Sequence, residues 1–583
     1  MSWVAALKPS DGGSRLVVTV EAGSAPPQQS ERESCTIVFE GRLHSGHPNA
    51  ADAILETYLR GGDAALRRID GWFTLVVWDA REQTLFAVRD PLGVQPFFYA
   101  NRGDDFGASP TLDALLRSDP GRSEPNTVAM AADLLGQPRP PAETFFTGIS
   151  RLPPGHILTL RSGGVRVERY WQPVWDGQTV ADDEAAERLE EVLRAAVARC
   201  IEPGPAGVFL SGGLDSALVA AVTADACREH GLPAPLMLSA FFAGTEADEE
   251  STQREVAGGL GLDQLAMTAD DAVEDGRVLG AAIYSAADAS GPPQLLQPIY
   301  DRLTIAARGR GVSVALTGAG GDELLMPPAN YARERFRALD VPALVQLGRA
   351  SVRYWPGATR RSVAHSLLVR SGVRPLIVGA ASGVLGRVAP ARLRLLRASR
   401  AARVIPEWLV PDEGLRDAQI EQMVSDGHFL DHVLLSYVRE HDYDTSRRLG
   451  VRSFAPLLEP DVVAMLLNLA PRRLIDRGEA KSLAREVLAP RLPHLTRCWP
   501  RTVYADSLWQ RALRREGVSA WSALGGTPLL AELGVVEPLL LEARIHSEDA
   551  AAARREAVQV CRTLILERWM ASRILGRSAR RVG

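Results

Sequence analysis

Cysteine is scarce in this chain, and its distribution excludes two kinds of site. No Cys-x-x-Cys pair occurs and no histidine cluster accompanies a cysteine, so we expect neither a structural zinc site nor a disulfide framework. Isolated cysteines are typical of a reducing compartment, which predicts a cytoplasmic protein. The cysteines are Cys35, Cys200, Cys227, Cys498 and Cys561.

Long hydrophobic runs and an excess of positive charge are also missing. The longest apolar stretch, around residues 375–385, is shorter than the roughly 20 residues of a membrane-spanning helix. The first residues show no basic segment followed by an apolar stretch, so we expect no signal peptide. A net charge of −5 argues against a general nucleic-acid binder. The length of 583 residues predicts roughly two to four domains.

The most informative segment that is present runs from residue 206 to residue 222. An apolar run stops at Ser-Gly-Gly-Leu-Asp-Ser (211–216), and a helical pattern follows. This order predicts a strand, a glycine turn and a helix N-terminus, where backbone N–H groups and the helix dipole favour an anion. Asp215 is placed to hold a metal ion on a phosphate. No Gly-Lys-Ser/Thr follows at Walker spacing, so a kinase-type loop is excluded.

A second unit of strand, glycine turn and acid follows later in the chain. Residues 312–316 predict a buried strand, and Thr317-Gly318-Ala319-Gly320-Gly321-Asp322-Glu323 comes directly after it. Residues 236–242 predict another buried strand between the two units. Ligands of open α/β folds bind at the carboxyl ends of the strands, so both turns are expected at one sheet edge.

Both turns resemble motifs of one enzyme family. The first resembles the SGGxDS loop of ATP pyrophosphatases, which cleave ATP between the α and β phosphates. The second resembles the S/T-G-x-G-x-D-E motif of asparagine synthetase-like enzymes. The resemblance implies that Asp215 and Asp322 share Mg²⁺, an ion that suits carboxylates and phosphate oxygens. The residues it implies around ATP are Leu210, Ser211, Gly212, Gly213, Asp215, Ser216, Phe242, Thr317 and Gly318.

The N-terminal part resembles a class II glutamine amidotransferase domain that lacks its chemistry. Residues 36–39, 73–78 and 84–88 predict antiparallel strands, and the segment 71–99 resembles the signature of such domains. Active members use an N-terminal cysteine, where this chain has Ser2, and Asn-Gly in the oxyanion hole, where it has Glu40-Gly41. A hydroxyl is a weaker nucleophile and a carboxylate opposes an oxyanion, so we expect no glutamine hydrolysis. Ser2 as a working nucleophile is the alternative.

Taken together, these patterns predict an α/β and α+β protein of two domains. Residues 1–172 are expected to form a degenerate, glutaminase-like antiparallel sandwich. Residues 173–583 are expected to form an ATP-pyrophosphatase-like parallel sheet with helices and a basic helical insertion at about 333–405. From Arg333 to Arg403 there are fifteen arginines and two acids. That segment is interpreted as a solvated surface, a docking site for an acidic partner or peptide, or a membrane surface.

Cationic side chains near residue 480 resemble the family's "G-x-x-K-x-x-x-R" motif. Lys481 and Arg485 are spaced i,i+4, so we expect them on one helix face, where both can meet one anion. The family's next lysine, which steadies the activated carboxylate, aligns with Arg501, and an arginine keeps the charge but not the compact ammonium.

The general base is the open point. Where the family has "v-E-x-R", this chain has Val-Arg-Ser-Phe (451–454), so the acid is absent. Glu459, Asp442 and Asp444 are unranked candidates for this base. The predicted catalytic residues are Glu459 together with Lys481, Arg485 and Arg501, which the resemblance implies.

The resemblance implies an activity in which a carboxylate attacks the α-phosphorus of Mg·ATP to give an acyl-adenylate and pyrophosphate. The absent cysteine argues against an asparagine synthetase that draws ammonia from glutamine. A lasso peptide cyclase, which joins a peptide's N-terminal amine to an Asp or Glu side chain, fits best, because the long basic insertion suits a peptide substrate and protein partners. The Gly-Gly-Asp-Glu form of the second motif also resembles lasso cyclases. Its partners would be a precursor peptide, a leader-binding protein and a leader peptidase. The alternatives are a β-lactam synthetase-type or other small-molecule amide synthetase, and a non-catalytic pseudo-synthetase.

Overall fold

The computed structural model describes most of the chain: residues 2–10, 13–21, 24–102, 105–118, 124–136, 139–173, 182–202, 204–328, 331–355, 357–373, 406, 408–409, 433–497, 499–500, 505–547 and 549–581. Arg501, Cys498 and residues 374–405, which form the second part of the basic segment, therefore lie outside the described residues.

The N-terminal part is built from two antiparallel sheets. One has the strand order β2-β1-β8-β7-β9 and the other has the order β11-β10-β6-β5-β4-β3. The strands are β1 (Trp3–Ser10), β2 (Gly13–Val20), β3 (Gln28–Arg32), β4 (Cys35–Leu43), β5 (Gly71–Asp79), β6 (Thr84–Arg89), β7 (Phe98–Arg102), β8 (Asp105–Ser109), β9 (Ser150–Arg151), β10 (His156–Arg161) and β11 (Gly164–Arg169).

Side chains that point alternately to the two faces of β4 explain how these sheets pack. Ile37 and Phe39 lie in one apolar cluster with Leu55 of helix α1 (Ala50–Gly61). Val38, between them, points to the opposite face and lies in a second cluster with Trp3 of β1. A strand with a period of two can therefore be buried on both faces, against a helix on one side and a sheet on the other.

The C-terminal part is built on a parallel sheet with the strand order β14-β13-β12-β15-β16. Its central strand pairs Val208 with Met237 on one side and with Leu316 on the other. Both pairings are parallel, so the loops after the strands meet at one edge. The strands are β12 (Ala206–Phe209), β13 (Leu236–Phe241), β14 (Gln264–Thr268), β15 (Val314–Leu316) and β16 (Arg452–Phe454), and a small ribbon follows as β17 (Ile475–Asp476) and β18 (Glu479–Ala480).

Helices cover both faces of this sheet. Val208 packs in the same cluster as Leu193 of α5 and Leu218 of α6, whereas Leu238 packs with Leu303 of α10 on the other face. The helices are α2 (Asp63–Leu66), α3 (Leu112–Ser118), α4 (Thr127–Leu134), α5 (Ala185–Ile201), α6 (Leu214–Glu229), α7 (Glu250–Leu260), α8 (Ala269–Ala272), α9 (Val278–Ala286), α10 (Gln297–Gly309), α11 (Gly321–Leu324), α12 (Tyr331–Arg337), α13 (Val341–Tyr354), α14 (Arg360–His365), α15 (Val433–Leu449), α16 (Pro460–Leu467), α17 (Ser482–Leu488), α18 (Pro493–Arg497), α19 (Asp506–Leu524), α20 (Pro528–Glu532), α21 (Pro538–Ile545) and α22 (Ala550–Arg581).

The predicted fold class is confirmed, with antiparallel sheets in the N-terminal part and a parallel sheet with helices in the C-terminal part. Within the part of the chain that the structure describes, each helix is too short or too polar to cross a bilayer. The described start of the basic segment is helical, from α12 through α14.

Candidate active site

A cavity of about 410 Å³ opens at the carboxyl edge of the parallel sheet. Its walls come from the two glycine turns, from the end of β13, from α10 and from α15. Of the residues that the sequence assigns to ATP and metal, those that line it are Leu210, Ser211, Gly213, Asp215, Ser216, Phe242, Thr317, Gly318 and Asp322. Gly212 belongs to the same loop but is not among the residues that line the cavity, and its carbonyl accepts a hydrogen bond from Trp499 Nε1 at 3.0 Å.

The first turn is held by its own hydroxyl groups. Ser216 Oγ accepts from the backbone N–H of Ser211 at 3.2 Å and donates to the carbonyl of Gly213 at 3.0 Å. Gly212 has φ +80°, and a Cβ there would lie 2.9 Å from Glu249 Cβ. The loop therefore requires glycine, and it leads directly into α6, whose N-terminus favours an anion.

The second turn packs so closely on the first that side chains are excluded. A Cβ on Gly318 would lie 2.7 Å from the backbone nitrogen of Ser216, and a Cβ on Gly321 would lie 2.1 Å from Asp215 Cγ. The two glycines therefore allow the backbone to approach and bring Asp215 and Asp322 to one end of the cavity.

Lys481 joins these two carboxylates. Its Nζ donates to Asp215 Oδ2 at 2.5 Å and to Asp322 Oδ1 at 2.7 Å, and Tyr354 donates to Asp322 Oδ1 at 2.9 Å. Burial raises the pKa of Asp215 to about 6 in spite of the lysine. Burial also opposes the charge of Asp322, but the attraction and hydrogen bond of Lys481 prevail and lower its pKa.

The expectation that Lys481 and Arg485 share a helix face is wrong. Helix α17 begins at Ser482, and Lys481 precedes it in a left-handed conformation with φ +55°. The Lys481 side chain consequently turns to the acids, whereas Arg485 donates to the carbonyls of Ala480 at 3.0 Å and Thr496 at 2.9 Å. Arg485 thus stabilises the backbone next to Lys481 and does not bond the carboxylates that Lys481 bonds.

Glu459 is not brought to the cavity, which corrects its place among the catalytic candidates. Its side chain is 1% exposed and accepts a hydrogen bond from Trp72 Nε1 of the N-terminal part at 2.9 Å. Arg199 lies 3.6 Å from its other oxygen. Burial raises the pKa of Glu459 to about 7. The carboxyl thus lies between the two halves of the molecule, where substrate has no access.

The other two base candidates lie on α15 and differ in their surroundings. Asp442 lines the cavity, and its Oδ1 accepts from Ser453 Oγ at 3.0 Å. Asp444 accepts from Ser290 Oγ at 2.5 Å and from Arg448 Nε at 2.8 Å, and it is not in the lining of this cavity. The structure therefore distinguishes two residues that the sequence left unranked.

Several wall residues carry no motif and were missed from the sequence. They come from α10, from α15 and from the start of α7, and none follows a glycine turn. The polar ones are Glu249, Gln253, Gln297, Tyr300, Thr304, His441 and Thr445. Burial raises the pKa of Glu249 to about 7, and its side chain closes over Gly212.

At the position of a glutaminase site, the side chains of Ser2 and Glu40 form hydrogen bonds with other side chains of this chain. Ser2 is buried, with its Oγ 3.4 Å from the hydroxyl of Ser109, which is not a base. Glu40 accepts from Trp3 Nε1 at 2.5 Å and from Tyr443 of α15 at 2.6 Å. The carboxyl that replaces the family's asparagine thus links the N-terminal sheet to the helix that lines the cavity.

The carboxylate oxygens of Asp215 and Asp322, which we call the acid pair, fit a cation that is also bound by phosphate. Asp215 Oδ1 is buried and has no hydrogen-bond partner among the described residues, which leaves one carboxylate oxygen available. Within those residues, no group of three or more His, Cys, Asp or Glu side chains is assembled as a complete metal site. Two carboxylates that need phosphate oxygens to complete the shell suit Mg²⁺.

Comparisons with known proteins agree with this architecture. A 244-residue stretch is 30% identical to asparagine synthetase [glutamine-hydrolyzing] 3 of Bacillus subtilis and covers 39% of this chain and 40% of that protein. An amidase, chyE, of Penicillium rubens is 26% identical over 47% of this chain and 42% of its own length. Asparagine synthetase [glutamine-hydrolyzing] 1 of B. subtilis is 23% identical over 53% and 50%. The chain thus matches half or less of the length of these relatives.

A solved glutamine phosphoribosylpyrophosphate amidotransferase from B. subtilis covers 46% of this chain and 74% of its own, with 11% identity and a TM-score of 0.19, a likeness too weak to carry an argument. The family models are more informative. The glutamine amidotransferase domain matches residues 10–171, and asparagine synthase matches residues 188–571, which hold both glycine turns and Lys481. The chain belongs to the asparagine synthase family.

Proposed function

We propose that this protein is an ATP-dependent, AMP-forming amide ligase that closes a macrolactam ring in a peptide, as a lasso peptide cyclase does. The observation that carries the proposal is a contrast within one chain. The 410 Å³ cavity at the edge of the parallel sheet, which we call the nucleotide cavity, has both glycine turns and the acid pair in its walls, and Lys481 is bonded to that pair. The glutaminase position has Ser2 and a hydrogen-bonded Glu40 instead of a nucleophile and an oxyanion donor.

The first step is attack of a substrate carboxylate on the α-phosphorus of ATP. The P–O bond to the β-phosphate breaks, and pyrophosphate leaves with the electron pair. The backbone N–H groups after Ser211 and the N-terminus of α6 stabilise its charge. Lys481 supplies a buried cation at the same end of the cavity. A bound Mg²⁺ would supply further charge neutralisation, and Asp215 and Asp322 would hold it.

The second step is attack of an amine on the acyl-adenylate, which forms the amide and releases AMP. Because no ammonia is expected from the N-terminal part, we assign the amine to the substrate itself. In a peptide, this amine is the N-terminus and the activated carboxylate is an Asp or Glu side chain. A leader-binding protein and a leader peptidase, which would deliver the free N-terminus in the cytoplasm, are the partners that this proposal implies.

The test uses synthetic peptides with a free N-terminal amine and one internal Asp or Glu, moved by one position from peptide to peptide. Incubation with enzyme, ATP and Mg²⁺ is expected to remove one water from at least one peptide, with AMP and pyrophosphate formed in equal amounts. Changing the acid to Asn or Gln removes the group that is activated. Acetylating the N-terminus removes the nucleophile, so either change is expected to stop cyclisation.

Other outcomes would redirect the proposal. Formation of ADP and phosphate would contradict the α,β cleavage. Consumption of small amino acids but of no peptide would favour a β-lactam synthetase-type activity. Absence of ATP cleavage with all of these substrates would favour a partner-binding pseudo-synthetase.

A further inference from the structure

A second cavity of about 230 Å³, which we call the interdomain chamber, adjoins the nucleotide cavity. It is lined from the N-terminal part by residues such as Phe98 and Phe145, and from the C-terminal part by one face of α15. His441 and Asp442 line both cavities, so the two spaces share one wall.

The chamber contains carboxylates, and most of them are already neutralised. Asp133 accepts from Arg562 at 2.7 Å, and Glu440 is bonded by Arg151. Asp444 is held through both oxygens by Ser290 and Arg448. None of these three acids has a spare charge to offer a ligand.

Asp442 is different. One oxygen accepts from Ser453, but Oδ2 is buried and has no partner among the described residues. The Nε2 atom of the adjacent His441 is likewise buried without a partner. A buried polar atom without a partner costs about 1–3 kcal/mol, so these two atoms indicate a polar ligand at the shared wall. The carboxylate oxygen of Asp442 requires a ligand with a polar hydrogen, whereas His441 Nε2 accepts or donates according to its tautomer.

The remaining walls indicate which part of a substrate enters. Phe98, Phe145, Tyr437, Pro110 and Pro292 line the chamber with apolar surface. A group that combines an ammonium or amine with an adjoining apolar residue would satisfy Asp442 and these walls together. The N-terminal residue of a peptide has this chemistry.

We propose that the interdomain chamber holds the amine-bearing end of the substrate and that Asp442 is the general base for amide formation. This inference rests on the proposed function. The ammonium first loses one proton to solvent. The neutral amine then attacks the acyl carbon and forms the C–N bond, its second proton passes to Asp442 Oδ2, and the C–O bond to AMP breaks with the electron pair leaving on AMP. Asp442 afterwards returns the proton to solvent.

The test separates activation of the carboxylate from attack by the amine. Hydroxylamine is unprotonated at neutral pH and traps acyl-adenylates without a base. Asp442→Asn is expected to form peptide hydroxamate and pyrophosphate within about threefold of wild type. It is expected to lose cyclisation by about 100-fold or more, the usual contribution of a general base. Asp461→Asn, which removes a solvent-exposed carboxylate of α16, serves as the matched control and is expected to leave both rates unchanged.

Each result is decisive. Cyclisation by Asp442→Asn within threefold of wild type overturns the inference and leaves the proposed function standing. Loss of hydroxamate together with cyclisation in a folded Asp442→Asn also overturns it, because the residue would then serve activation. If Asp442→Asn does not fold, Asp442→Glu replaces it. This variant is expected to form hydroxamate at the wild-type rate and to cyclise the peptide about tenfold more slowly. An equal loss of hydroxamate formation and cyclisation would count against the inference. A wild-type enzyme that cyclises no peptide overturns both proposals.

Discussion

Replacing Glu459 with glutamine tests whether this carboxyl is structural, as its burial against Trp72 indicates. Glutamine keeps an oxygen that can accept the hydrogen bond from Trp72 Nε1, and it removes only the titrating group. If Glu459 were the general base, the same change would abolish amide formation. The substitution therefore gives opposite results for the two roles.

The magnitude follows from the pKa of Glu459, which burial raises from its usual 4.5 to about 7. The folded protein holds the proton of Glu459 more tightly than the unfolded chain does. The free energy of unfolding is therefore unaffected by this group below pH 4.5, where the carboxyl is neutral in both states, and it falls as pH rises from 4.5 through 7. A shift of this size corresponds to about 3 kcal/mol at pH 8 and to less than about 1 kcal/mol at pH 5. Glu459→Gln is thus expected to raise the free energy of unfolding at pH 8 by up to about 3 kcal/mol.

The assay is urea unfolding at pH 5 and pH 8, followed by tryptophan fluorescence, together with the rate of peptide cyclisation. Glu486→Gln is the matched control, because Glu486 forms a more exposed pair with Arg473 and is expected to change stability by less than about 1 kcal/mol at either pH. A lower midpoint for Glu459→Gln at pH 8, or a loss of amide formation above tenfold, would refute the reasoning.

Three further predictions concern the two halves of the molecule. Asp215→Ala and Asp322→Ala are expected to fold, as judged by circular dichroism, but to lose pyrophosphate release by about 100-fold or more, and near-wild-type turnover of either would contradict the acid-pair assignment. Lys481→Met is expected to show a similar loss that Lys481→Arg does not restore, because a planar guanidinium cannot replace the compact ammonium between two carboxylates; full activity of the arginine variant would count against this geometry. The purified protein is expected to release no glutamate from glutamine above background, and ATP-coupled release that disappears in Ser2→Ala would show that the hydroxyl is a working nucleophile.

Local sequence determined the parts of the site that depend on backbone conformation. A strand, a glycine turn and a helix N-terminus follow one another within ten residues, so the anion loop around Ser211 to Ser216 could be predicted without knowledge of the remaining chain. The same holds for the turn that carries Asp322, and for the loss of the cysteine and asparagine at Ser2 and Glu40. These features are visible because residue type and neighbouring sequence are sufficient to define them.

Tertiary structure decided which side chains meet. Lys481 bonds acids 266 and 159 residues away, and it can do so because α17 begins one residue later than the spacing predicted. Glu459 is withdrawn from the site by a tryptophan 387 residues away. Asp442 becomes the candidate base only because α15 packs between two cavities and leaves one of its oxygens without a partner among the described residues. None of these contacts has a sequence pattern, because burial and pairing depend on how distant elements pack and not on spacing along the chain.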